Sequence, residues 1–317
     1  MKKNNIVKCL AALALLASPL TFNPSKVQAA EDPIKVGILQ YVDHDALNAV
    51  NKGFVETLEA SEYGDRIEID QTNANGDQAT LQSISEKLAR DNDYLFAIAT
   101  PAAQALATVE SEKPIFIAAV TDPVAAGLAD SMENPGRNVT GTSDQAPIDE
   151  QVDLLVRNFP DTKTVGLIYN SSETNSKIQA DQAVELLEKA GLKAQVATVT
   201  GTNDIAQVLN PLLDQVDAMF MVTDNTIDSA ITLVGDSAKE AGIPTIGSSD
   251  SVVRTNGLAT ISNSYEDYGV QTAKMLIKML DEGLKPGDMP IELGDAYEIV
   301  VNEDFAKALN LDPASIK

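Results

Sequence analysis

From residue 33 onward, short apolar runs alternate with longer segments whose apolar positions recur every three or four residues. The short runs predict buried strands over residues 34–39, 66–71, 94–99, 113–120 and 138–142. The longer segments predict helices over 45–60 and 78–90; in the first, Leu47, Val50, Phe54 and Leu58 share one face. The alternation then restarts, with strands expected over 164–169, 193–199, 217–223 and 243–247 and helices over 175–190, 204–213 and 226–241. A last strand and helix pair follows twice, over 257–262 with 265–281 and over 297–301 with 303–309. A Gly/Pro-punctuated linker over 283–290 separates them.

The two halves read as copies. Val36-Gly37-Ile38-Leu39-Gln40 corresponds to Val165-Gly166-Leu167-Ile168-Tyr169, 95–100 to 218–223, and Pro114-Ile115-Phe116 to Pro244-Thr245-Ile246, in the same order. The expected fold is therefore α/β, with two doubly wound lobes. Elements remain after both lobes are complete, so the chain must cross between them more than once. We expect residues 30–145 and 263–287 in the first lobe, and 146–262 and 288–317 in the second.

At Ala99-Thr100-Pro101 an apolar run gives way to an Ala/Gln/Leu-rich segment without a breaker. Thr100 is the expected N-cap and Pro101 the first helical residue, where a missing N–H costs nothing. Above an open parallel sheet, such a helix start suits a carboxylate or a phosphate.

Composition narrows the function. The chain of 317 residues carries 23 basic and 47 acidic side chains, a net of −24, which disfavours nucleic acid and anionic membrane as partners. Residues 1–29 have the layout of a signal peptide: Lys2, Lys3 and Lys8, an apolar segment over 9–20, and a small-residue cleavage site at Val27-Gln28-Ala29. The single cysteine, Cys9, lies within it, so the mature chain would hold no disulfide and no thiol ligand. The mature chain is expected to be exported and soluble, periplasmic or associated with the cell envelope.

Catalytic chemistry is sparse. There is one histidine, His44, no nucleophile elbow and no glycine-rich phosphate loop, so we expect no enzyme, no cofactor and no metal. What the sequence supplies is polar residues just past successive strands: Gln40, Asp43, His44, Thr100, Thr121 and Asp122 in the first half, with Ser143 at the junction. The second half contributes Tyr169, Asn170, Glu173, Asp224, Asn225 and Ser248. Facing one another across a cleft, these would converge on one small molecule. Two sequons, Asn138-Val139-Thr140 and Asn170-Ser171-Ser172, carry little weight.

In combination these motifs resemble the substrate-binding proteins of ABC importers. The resemblance is carried by 36–40 with Asp43-His44, Ala99-Thr100-Pro101-Ala102-Ala103-Gln104, Val120-Thr121-Asp122-Pro123-Val124, Asn138-Val139-Thr140-Gly141, Ile168-Tyr169-Asn170-Ser171-Ser172-Glu173 and Thr223-Asp224-Asn225. More narrowly they are similar to the branch that binds tryptophan or other aromatic amino acids. The resemblance implies a type I periplasmic-binding-protein fold with three crossings and a ligand cleft between the lobes. It also implies a monomer that delivers its ligand to a membrane permease and ATPase. On this sequence it implies that Thr100 and Thr121 take the α-carboxylate, and that Asp224, with Asn225 and Glu173, meets the α-ammonium. Gln40, His44 and Tyr169 would line the side-chain pocket. Family members in Gram-positive bacteria usually carry a lipobox, and no such pattern is read in residues 1–29 here. Two alternatives stay open: a secreted α/β enzyme using acidic residues, and a ligand sensor of the same fold.

Overall fold

Strands and helices alternate through a computed structural model that describes residues 32–294 and 297–317. The expected signal peptide, 1–29, lies outside the described residues. The first half runs β1 (Ile34–Gln40), α1 (Asp45–Glu59), β2 (Ile67–Asn73), α2 (Gln78–Asp91), β3 (Tyr94–Ile98), α3 (Thr100–Val109), β4 (Ile115–Ala118) and β5 (Val139–Ser143). The second runs α4 (Ile148–Asn158), β6 (Thr164–Asn170), α5 (Thr174–Lys189), β7 (Lys193–Val199), α6 (Ile205–Leu213), β8 (Ala218–Met221), α7 (Asn225–Ser229), α8 (Ile231–Ala241), β9 (Thr245–Gly247), α9 (Asp250–Asn256) and β10 (Ala259–Ser262). The chain closes with α10 (Tyr265–Glu282), β11 (Glu292–Leu293), β12 (Glu298–Val301) and α11 (Glu303–Ala308).

The strands form two six-stranded sheets, ordered β11-β5-β4-β3-β1-β2 and β12-β10-β9-β8-β6-β7. Strand for strand these orders are the same, which is the structural form of the sequence duplication. The central strands are apolar almost without interruption because helices cover both faces, whereas the edge strands β2 and β7 are half-exposed. One difference separates the copies: β11 runs parallel to β5, and β12 antiparallel to β10. In each sheet the strand order reverses between the first strand and its neighbour, β1 against β3 and β6 against β8. Outside the carboxyl ends of those strands lies the crevice where open α/β sheets bind ligands.

Three crossings join the lobes, after β5, β10 and β11. The linker expected over 283–290 leads into β11, whose Glu292 and Leu293 pair with Thr142 and Ser143 of the first sheet. Residues up to 293 therefore side with the first sheet rather than the second, because β5 needs a partner on its open edge. Helix α10 returns to pack on α1, and the two backbones touch. A Cβ on Gly269 would sit 1.9 Å from the Val50 carbonyl oxygen, and one on Gly53 would sit 2.2 Å from that of Glu266. Beneath α1, Phe54 stacks on Phe96 of β3 at 3.8 Å between ring centroids.

Three local expectations change. Thr100 is the first residue of α3, and the N-cap is Ala99, at φ 84°. The helix expected over 226–241 breaks at Ala230 into α7 and α8. Helices α4 and α9 occupy stretches for which the sequence pattern gave no prediction.

Candidate functional site

The segment beyond β1 meets the segments beyond β8 and β9, through His44 with Asn225 and Asp45 with Thr255. Three backbones here are bent into the positive-φ region without glycine: Ala99 after β3, Ala119 after β4 (φ 54°) and Ser248 after β9 (φ 57°). Such strain persists only where surrounding structure enforces it, and it gathers at ligand sites.

On the first-lobe side the predicted residues divide. Gln40 is buried and bonded throughout: Nε2 donates to the Val42 carbonyl and to Asn48 Oδ1, and Oε1 accepts from Asn51 Nδ2. It therefore fixes the β1–α1 turn and has no free donor for a ligand. Asp43 is exposed and accepts from Asn48. Asp122 Oδ1 accepts from Ala125 N at 2.9 Å, closing its own turn. Ser143 Oγ donates to the Thr121 carbonyl at 2.9 Å and ties the ends of β4 and β5 together. Thr100 differs: it is 2% exposed, and its Oγ1 has no partner. A buried unpaired hydroxyl is costly enough that such groups call for an explanation, and a ligand supplies one.

The second-lobe side is built on the start of α7. Asp224 Oδ1 accepts from Ile227 N and its Oδ2 from Asn170 N, at 2.8 and 2.7 Å. Glu173, fully buried, accepts four bonds: Asn225 N and Nδ2 on one oxygen, Thr226 N and Oγ1 on the other. Asn170 spends its amide on Thr226 Oγ1 and Ser172. The resemblance assigned the ammonium to Asp224 and Glu173, but these carboxylates are largely taken up in holding the turn. Tyr169 is buried at the end of β6.

Two carboxylates that the sequence reading passed over are freer. Asp144, directly after β5, accepts from the Tyr265 hydroxyl at 2.5 Å through Oδ2, while its buried Oδ1 has no partner. Asp228 lies one turn along α7 from Asp224, and both its oxygens lean on the single hydroxyl of Ser248, at 3.2 and 3.3 Å. The signal for Asp144 was its place beside Ser143 at a strand end. For Asp228 it was the Asp-x-x-x-Asp spacing, which puts both side chains on one helix face.

Charge dominates the interior. Asp144, Glu173, Asp224 and Asp228 are each at most 4% exposed. No ion pair among the described residues involves any of them. Burial raises the pKa of all four. Glu173 rises to about 7, with the Asp224 charge adding to burial, and Asp228 rises well above the usual carboxylate range, pushed further by Asp224. The histidine is no counter-charge: burial lowers the pKa of His44 to about 4, so it is neutral at physiological pH. His44 Nε2 lies 3.4 Å from Asn225 Oδ1 and Thr255 Oγ1 donates to Asp45 at 2.7 Å, two contacts that tie the lobes across the cleft.

A cavity of about 230 Å³ remains between the lobes, lined by Tyr41, Gln78, Asn170, Thr202 and Thr226 among others. Larger grooves of about 620 Å³ lie at the crossings, by Arg254 and Lys274, and along α1, by Lys52 and Glu56. Neither holds the buried carboxylates, so volume alone does not mark the site. The sequons are spent inside the fold: Asn138 Nδ2 donates to the Lys113 and Glu110 carbonyls, and Asn170 is buried.

Comparison with known proteins agrees with this geometry. A family model described as ABC transporter substrate binding protein matches residues 35–313. The tyrosine-binding protein of Clostridioides difficile strain R20291 is 38% identical over 296 residues, covering 92% of this chain and 86% of its own. A Streptococcus pneumonia domain solved in complex with L-Trp is 37% identical, covers 88% of this chain and 95% of its own, and superposes with a TM-score of 0.84. The ligand-free, open structure of a Clostridium difficile substrate binding protein with adhesive properties is 41% identical, covering 89% and 96%, yet its TM-score is 0.68. Higher identity with poorer superposition sets that open arrangement apart from the lobe arrangement here, where His44 meets Asn225. By fold, duplicated topology and family match, the chain belongs to the substrate-binding proteins of ABC transporters.

Proposed function

We propose that this chain is the extracytoplasmic binding component of an ABC importer and closes its two lobes on a free aromatic amino acid, tyrosine or tryptophan. One observation carries the reading. The cleft buries four carboxylates that have no ion-pair partner among the described residues, and Thr100 Oγ1 stands unpaired at the start of α3. Buried charge without a partner is unfavourable, so the cleft is complementary to a ligand that brings a cation. The amides of the first α3 turn, with Thr100 and Thr121, are complementary to an anion. A zwitterionic amino acid satisfies both. The ligands of the tyrosine-binding and L-Trp-complexed relatives support the aromatic class.

In this reading the protein is a monomer with no catalytic role, and it hands its ligand to a permease driven by an ATPase. Isothermal titration with L-tyrosine, L-tryptophan and L-phenylalanine tests it; absence of heat with all three overturns the aromatic assignment. Because the chain contains no Trp, bound tryptophan would be the only source of indole fluorescence, an independent check.

A further inference from the structure

One buried amide at the crossings between the lobes lacks a partner. Asn263 stands between β10 and α10, on the second crossing, and is 6% exposed, yet its Oδ1 accepts from no donor. Its neighbours are served. Ser262 Oγ donates to the Asn263 carbonyl at 3.0 Å, Ser264 Oγ accepts from Asp267 N, and Gln271 Nε2 donates to Glu292 and to the Leu293 carbonyl. The third crossing lies directly on this amide. Gly294, the residue after β11, comes so close that a Cβ there would stand 2.3 Å from Asn263 Nδ2 and 3.0 Å from Tyr268 Cε1. Two of the segments about which the lobes turn are thus in contact, and the side chain between them is short of a donor.

Water is close at hand. The groove of about 620 Å³ beside Asn263 is walled by Asp250 and Arg254 of α9, in the second lobe, and by Asp267, Gln271 and Lys274 of α10, in the first. Its two walls belong to different lobes, so parting the lobes widens it and lets water reach the Asn263 carboxamide. Closing them shuts water out and leaves Oδ1 unpaired. A buried acceptor without a donor disfavours the state that holds it.

We propose that Asn263, pressed by Gly294, is a hinge element that opposes closure, so that the empty protein rests open and closes only when a ligand's contacts outweigh the unpaired amide. It works against the His44–Asn225 contact, which joins the lobes across the cleft. Two opposed contributions give a pair of states that a ligand can tip. The inference rests on the reading that the lobes close on their ligand, and it holds whichever amino acid that is.

The test pairs two substitutions of similar shape and opposite effect. Asn263→Leu removes the acceptor and should favour closure. Asn263→Asp adds a charge where a donor is already wanting and should favour opening. Solution X-ray scattering of the ligand-free proteins is expected to show Asn263→Leu more compact than the native protein and Asn263→Asp at least as extended. Calorimetric titration with L-tyrosine and L-tryptophan should give about tenfold tighter binding for Asn263→Leu and about tenfold weaker binding for Asn263→Asp, because apparent affinity scales with the closed population. An amide that only supports the fold, or that touches the ligand, would make both substitutions weaken binding. That result, or unchanged scattering with unchanged affinity in Asn263→Leu, overturns the proposal. Asn263→Ala carries the same expectation as Asn263→Leu should the larger side chain prevent folding. If the native protein binds neither amino acid, the function reading fails, while the scattering comparison still decides whether Asn263 opposes closure.

Discussion

His44 and Asn225 meet across the cleft, the imidazole Nε2 lying 3.4 Å from the amide oxygen, from positions 181 residues apart in the chain. An amide oxygen only accepts, so the ring carries its proton on Nε2, and the buried Nδ1 is left as an unpaired acceptor. The imidazole thus latches the closed arrangement in its neutral form.

A pH dependence follows. Burial places the folded-state pKa of His44 at about 4, below its ordinary value of 6.5. Between those values the unfolded chain binds the extra proton, so the stability contributed by neutral His44 is complete above pH 6.5 and is lost as pH falls through 4. Glu173, raised to about 7, acts in the opposite sense: its contribution is present below pH 4.5 and lost as pH rises through 7. His44→Gln keeps a side chain that can donate to Asn225 and removes the imidazole titration. Thermal unfolding of this variant should fall less than that of the native protein between pH 6.5 and 4.

Glu173 holds the start of α7 with four accepted bonds, two from backbone amides. Glu173→Gln replaces one acceptor oxygen by a donor facing donors. We expect a loss of about 3 kcal/mol in chemical denaturation, with weakened amino-acid binding because Asn225 loses its anchor.

Thr100→Val removes a hydroxyl that has no partner in the fold and keeps the shape. Unfolding free energy should stay within about 1 kcal/mol of the native value, while affinity for the amino acid drops about tenfold. Calorimetric titration beside a melting curve separates the two effects. Equal affinity would remove Thr100 from the site.

Ala99→Gly relieves the positive φ at the β3–α3 junction. Net of the greater freedom of glycine in the unfolded chain, the ligand-free protein should gain about 1 kcal/mol, read as a higher denaturation midpoint. The opposite experiment is Gly269→Ala, which drives a methyl into the Val50 carbonyl and should cost about 3 kcal/mol.

The frame of the fold was legible because buried parallel strands announce themselves as continuous apolar runs, and β1, β3, β6 and β8 have that character. The duplication was legible because each lobe needs the same Gly-containing first strand. The break at Ala230 and the short α9 were not, since a single bent residue and a seven-residue helix leave little periodicity. At the site, Thr100, Glu173, Asp224 and Asn225, which the sequence offers near strand ends, are buried. Which side chains stay free was a different matter. Gln40, Asp122 and Ser143 are committed to partners two to twenty-two positions away, whereas Asp144 keeps one oxygen without a partner and Asp228 rests on the Ser248 hydroxyl alone. Hydrogen-bond satisfaction is a property of three dimensions.

The return of α10 and β11 to the first sheet also orders the folding of the chain. Thr142 meets Thr272 at 2.9 Å, and β5 has no outer neighbour until Glu292 and Leu293 arrive. Both sheets are therefore complete only when nearly the whole polypeptide has been made, since β12 closes the second as β11 closes the first. Long-range closure of this kind is slow. In a nascent chain of this design the outer edge of the leading sheet stays unpaired until the last tenth of the polypeptide has been made.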